Sequence, residues 1–251
     1  MLRRAGDALA RSGCHLQIHL AETREEVAEL QARTGARPVE RLEHFGLLSP
    51  NVVIAHGVWL DDDECRRLAH AGASIAHNVS SNMKLASGVA PQRRFATAGL
   101  NVGLGTDSSA SNNVLDPFRE MRLATLMQRA IARDPAAWPA YAALEAATRH
   151  GAVALGFGNE TGSFERGKCA DIVLVDLDKP HLGPRVRTDR DALANLLVFA
   201  ATAADVDTTI VGGRPIVEAG MPLTLDPRQV IEAARAAMRC LLARQERHGR
   251  P

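Results

Sequence analysis

Four times between Cys14 and Asp107 an apolar, strand-like segment leads toward a helix-like one, and each apolar segment closes on a polar residue. Those residues are His19, His56, His77 and Asp107. Alternating strand and helix patterns joined by short loops imply βα units and a parallel sheet, hence an α/β fold. In a parallel sheet all strand ends of one kind lie on one side, and the carboxyl ends are where α/β barrels build their sites. A barrel of this kind needs eight such units, and four are legible here.

The segments divide as follows. Residues 2–12 have helical spacing and Gly13 stops them. From Cys14 to Leu20 the pattern has period two, with His15, Gln17 and His19 on one face and Leu16, Ile18 and Leu20 on the other. Thr23 is placed to cap a helix over 24–33, and Pro38 opens another that Gly46 ends. Residues 51–56 form a second strand, 61–71 an acid-led helix, 73–78 a third strand, 92–98 a helix ended by Gly99, and 100–107 the fourth strand. Residues 116–132 and 139–156 read as helices. From Gly162 the texture becomes β-rich: a turn and strand to Asp176, then a hairpin over 208–217 around Gly212 and Gly213. A basic, alanine-rich helix covers 227–247. The expected organisation is therefore 1–161, 162–225 and 226–251.

Charge and cysteines narrow the function classes. With 30 basic and 29 acidic residues, nothing in the balance favours nucleic acid or an anionic membrane. The four cysteines are far apart and form no CxxC pair, which suits buried thiols in a reducing compartment. No apolar run approaches the ~18 residues of a membrane span, and no signal peptide is legible, so the expected location is the cytoplasm.

The strand-end residues carry the chemistry. A carboxylate closing a buried strand, as Asp107 does, needs a metal, a cationic partner or a catalytic role. It also reads as a helix N-cap among Thr106, Ser108 and Ser109. His19 is followed three residues later by Glu22, which gives a metal ligand with a proton shuttle, or else a hydrogen-bonded core histidine with a helix-start charge. His56 alone is as consistent with packing as with catalysis, and His77 with the wall of a pocket. If the strands lie side by side, His19, His56 and Asp107 converge, and imidazole with carboxylate suits a hydrolytic zinc or iron.

Five runs together resemble the amidohydrolase superfamily: HLAETREE at 19–26, AHGVWLDD at 55–62, AHNVSSNMKLASGVAP at 76–91, GTDSSASNNVLD at 105–116 and GSFERGKCADIVLVD at 162–176. The likeness is to its TRZ/ATZ branch of chlorohydrolases and deaminases, and within that to the methylthioadenosine/S-adenosylhomocysteine deaminases. It implies the C-terminal half of a (β/α)8 metal-dependent hydrolase barrel with part of a small β-sandwich. It further implies that His19 and Asp107 ligate a divalent metal, zinc or iron, which brings the pKa of its water toward about 7. Glu22 then protonates a ring nitrogen of the substrate and, with Asp107, binds it. His56 orients and helps deprotonate the attacking water, and Asp107 carries protons to the leaving ammonia. The implied partner is a small heterocyclic amine.

The sequence departs from that pattern in two ways. The HxH pair expected on a first barrel strand occurs nowhere in the chain, and Val79 and Ser108 stand where proline and glycine are common. The expectation is a C-terminal portion of a longer enzyme, acting as a deaminase, as a chlorohydrolase of the same branch, or as a non-catalytic piece that needs a complementing N-terminal half. A half-barrel with open edges is also expected to self-associate as a homo-oligomer.

Overall fold

The structure, a computed structural model, describes residues 2–183 and 188–248. The chain divides into two compact units, one of Met1–Lys168 with Asp178–Ala203, the other of Cys169–Leu177 with Ala204–Pro251.

The first unit opens with α1 (Leu2–Ser12), β1 (Leu16–Leu20), α2 (Arg24–Thr34), α3 (Pro38–His44), β2 (Val52–His56), α4 (Asp62–His70) and β3 (Ser74–His77). It continues with α5 (Val79–Lys84), α6 (Gln92–Ala98), β4 (Asn101–Leu104), α7 (Ser109–Asn112), α8 (Pro117–Ala132), α9 (Ala140–Ala147) and α10 (Arg149–Ala154). The four strands are parallel and lie in chain order. The caps are local chemistry. Thr23 Oγ1 accepts from Glu26 N at 3.1 Å, Asp61 and Glu64 close a capping box on α4, and Gly35 and Gly99 end α2 and α6 in the left-handed region.

One face of the sheet buries Val52, Ile54 and Ile75 against Val27, Val39, Leu42, Cys65, Leu68 and Phe95 from the helices. Each such side chain contributes about 1.5–3 kcal/mol by leaving water. On the opposite face the register aligns His19, Ala55, Ala76 and Gly103 in one row. At Gly103 a backbone comes close: a Cβ there would lie 3.1 Å from Gly151 Cα of α10. Asn101, at the start of β4, donates to His150 O at 3.0 Å, which ties α10 to the amino-terminal end of β4.

The helix expected over 139–156 is two helices. Thr148 breaks it with φ −125° and ψ −90°, outside the helical region, and the break lets Gly151 approach Gly103. α11 (Arg190–Phe199) follows β5 (Ile172–Val175) in sequence and was not legible beforehand. It joins Met121, Ala140 and Ala143 in a second core through Ala194 and Val198.

In the second unit β5, β6 (Val206–Val211), β7 (Arg214–Glu218) and β8 (Met221–Pro222) form one antiparallel sheet in chain order, followed by α12 (Pro227–His248). The β6–β7 hairpin turns on Gly212 and Gly213, both at positive φ (55° and 78°), as its tight turn requires. Among the described residues no helix is long and apolar enough to cross a membrane.

Candidate metal and catalytic site

The carboxyl ends of β1, β2 and β4 meet at one mouth. His19 closes β1 with its side chain 65% exposed, and its Nε2 lies 4.0 Å from Asp107 Oδ1. His56 closes β2 almost fully buried, with its ring centroid 5.0 Å from that of His19. Its Nε2 is 4.0 Å from Asp107 Oδ2 and 3.8 Å from Glu22 Oε2. Single ligand atoms from His19, His56 and Asp107 all lie within 4.8 Å of one another.

The backbone is strained where these residues project. Ala21, His56 and Asp107 have φ of 51°, 72° and 59°. For non-glycine residues such conformations cost on the order of 1–3 kcal/mol each and cluster at functional sites. The turn that presents Glu22 is stapled by Glu26, whose carboxylate accepts from Ala21 N (3.1 Å) and Glu22 N (2.8 Å). Glu22 itself accepts from Ser87 Oγ at 3.0 Å, and the Ser87 carbonyl is held by Trp59 Nε1 at 2.8 Å.

The protonation states follow from the partners. His56 Nδ1 faces Asn82 Oδ1 at 2.7 Å. An amide oxygen only accepts, so Nδ1 carries a proton and donates it to Asn82, and Nε2 is left to face the mouth. That Nε2 is buried and has no hydrogen-bond partner. Partial burial pushes the Asp107 carboxyl up, but hydrogen bonds from Ser81, Ser111 and the Ser108 backbone, with His56 nearby, outweigh it and hold the pKa below the usual value. Ser81 Oγ and Ser111 Oγ donate to Oδ2 at 2.5 and 2.7 Å, which leaves Oδ1 turned toward His19.

His77 closes β3 but does not join this group. It is fully buried, with its ring stacked on Trp138 at 5.6 Å. Burial first, and His56 second, push its pKa down to about 3, so it is neutral. The sequence singled out His19, Glu22, His56 and Asp107, and the structure brings all four together. Ser81, Asn82, Ser87 and Ser111, which hold them, were not singled out. The only sequence signal for the first two was the polar stretch Ser80 to Asn82 shortly after β3.

Residues 1–216 match the sequence model of the amidohydrolase family. The chain belongs to the amidohydrolase family. A similar amidohydrolase relative is a 5-methylthioadenosine/S-adenosylhomocysteine deaminase of Moorella thermoacetica, 46% identical over 229 residues, covering 91% of this chain and 52% of the relative. Among solved structures, a zinc-bound adenosine deaminase from Xanthomonas campestris matches with a TM-score of 0.88 and 35% identity, over 94% of this chain and 52% of that one. A zinc complex of an atrazine chlorohydrolase from Arthrobacter aurescens matches with a TM-score of 0.83 and 28% identity, over 94% and 51%. This amidohydrolase chain thus spans about half the length of the relatives it matches.

Proposed function

We propose that this chain supplies the carboxyl-terminal half of a metal-dependent aminohydrolase that deaminates purine-like nitrogen heterocycles. The four βα units are half of a (β/α)8 barrel in this reading, and the antiparallel sheet is part of a β-sandwich. The observation that carries the proposal is the meeting of His19, His56 and Asp107 at one mouth, with His56 Nε2 buried and unpartnered. The named deaminase relatives and the zinc-bound neighbours support it.

The donors fit a divalent metal: an imidazole on β1, and a carboxylate kept ionised in the loop after β4, which ends at Leu104 and not at Asp107 as the sequence pattern suggests. His19 Nε2 and Asp107 Oδ1 would hold it, with zinc as the first choice and iron as the alternative. When bound, such an ion acts as a Lewis acid and lowers the pKa of water. His56 orients the attacking water through Nε2 and takes up its proton. Glu22, fixed by Ser87, protonates the ring nitrogen next to the attacked carbon. Asp107 takes the remaining proton of the attacking water and passes it to the amine, which leaves as ammonia while the water oxygen stays on the ring. A chlorohydrolase with chloride as the leaving group is a second reading, supported by the atrazine chlorohydrolase match.

Two protein ligands are fewer than the three or four that zinc ordinarily takes. The chain alone is therefore expected to bind zinc weakly and to turn over little, and to gain both when the amino-terminal half of a relative is supplied. Zinc titration and ammonia release from adenosine-type substrates test this, with Asp107→Asn as the decisive variant. Asp107→Asn should weaken zinc at least about 100-fold and abolish turnover. Zinc affinity unchanged by that substitution would sink the site assignment. Stoichiometric zinc and deamination by the chain alone would overturn the requirement for a second half.

A further inference from the structure

Glu120 of α8 is 1% exposed, and among the described residues it has no ion-pair partner. A buried carboxylate held only by neutral donors is costly, and cheaper side chains could pack at that place. Its two oxygens go to two different segments. Oε2 accepts from Ser80 N at 3.1 Å, and Oε1 accepts from Asn112 Nδ2 at 2.8 Å.

Both segments lead directly to the site. Ser80 begins the Ser80–Asn82 stretch of α5, in which Ser81 donates to Asp107 and Asn82 accepts from His56. Asn112 donates its other amide hydrogen to Thr106 O at 2.7 Å, next to Asp107, and closes the loop that carries Ser111. One carboxylate thus joins the segment that orients His56 to the loop that orients Asp107. A second tie, from Lys84 Nζ to Ala110 O (2.8 Å) and Asn113 Oδ1 (2.6 Å), lies on the exposed side.

We propose that Glu120 is a positioning residue of this site: it locks α5 to the 106–112 loop, and so fixes the tautomer of His56 and the direction in which Asp107 Oδ1 points. The proposal takes the functional reading above as its ground, but it predicts a signal that does not depend on metal. Partners beyond the ligands commonly change site affinity 10- to 100-fold.

The test uses the 251-residue chain with Glu120→Ala, Glu120→Gln and a packing control, Cys65→Ala, on the far side of the sheet. Nitrogen-15 NMR of the imidazoles reports whether His56 keeps a protected Nδ1–H, and zinc titration reports affinity. In Glu120→Ala we expect loss of the protected Nδ1–H and zinc binding weakened about 10- to 100-fold. Glu120→Gln, which keeps one acceptor for two donors, should fall between it and the parent. Cys65→Ala should lower the melting temperature and leave the His56 signal intact.

A retained Nδ1–H in Glu120→Ala, or its equal loss in Cys65→Ala, would overturn the proposal. If Glu120→Ala fails to fold, Glu120→Gln decides: an unchanged His56 signal in that variant rejects the assignment. If the chain binds no zinc even with the amino-terminal half of a relative supplied, the functional reading fails, while Glu120 is still judged on the imidazole proton alone.

Discussion

Two buried polar clusters flank β2, and they differ in what is left over. Around Glu64 of α4, Arg37 donates through Nε and Nη2 at 3.0 and 2.6 Å, and the amides of Val39 and Asp61 donate at 3.1 Å each. Both oxygens are fully engaged, and the arginine's remaining reach goes to Trp59 O and Asp61. At the mouth, His56 Nε2 and Asn82 Nδ2 are buried with no partner, and the backbone beneath His56 is strained. A satisfied cluster costs its neighbours nothing further and reads as architecture. Residual donors and acceptors on strained backbone read as capacity for a ligand.

Breaking each cluster should therefore damage different properties. Glu64→Ala leaves Arg37 paired with Asp61 but orphans the buried Val39 N–H, and is expected to cost roughly 1–3 kcal/mol of stability, measured by urea denaturation. Below its denaturation midpoint that variant should bind zinc as the parent does. Loss of zinc affinity without loss of stability would mean that the two clusters are not separable. Asn82→Ala should do the reverse. It removes an unpartnered amide and orphans one imidazole N–H, two changes of about 1–3 kcal/mol that oppose each other. Stability should stay near the parent's, while turnover with a complementing half falls about 10- to 100-fold. The nitrogen-15 shifts of His56 should move away from the Nδ1–H tautomer. An unmoved tautomer would remove Asn82 from the site.

The same contrast explains what could be read from residues alone. Strands and most helix ends were legible because they rest on local rules, such as period two in β1, Thr23 and Asp61 as caps, and Gly35 and Gly99 as stops. The break at Thr148 was not, because an alanine-rich run reads as continuous helix until the contact of Gly103 with Gly151 is known. α11 was missed because its burial depends on Met121 and Ala143, which lie far away in sequence. In the site, His19 and His56 were legible as residue types at strand ends, while Glu22 and Asp107 lie in the loops just beyond β1 and β4, the latter because β4 stops at Leu104. Their holders were not, since Asn82 lies 26 residues from His56 and Ser87 lies 65 from Glu22. No short-range pattern carries such hydrogen bonds.

α5 offers the smallest and sharpest separation of scaffold from site. Val79 is its first helical residue, and Asn78 before it sits at φ −106° and ψ 67°, outside the helical region. Proline at a first helical position sacrifices no intrahelical hydrogen bond and needs a non-helical residue before it. Val79→Pro should thus shift stability by no more than about 1 kcal/mol, towards stabilisation if the ring fits, and leave the His56 signal unchanged. Ser80→Pro, one residue on, removes the N–H that Glu120 accepts. It should disturb His56, and because the residue before it, Val79, is helical, it should also cost stability that Val79→Pro does not. If both variants leave the imidazole alike, α5 is only scaffold. If Val79→Pro costs more than about 2 kcal/mol, the start of α5 is not where its backbone places it.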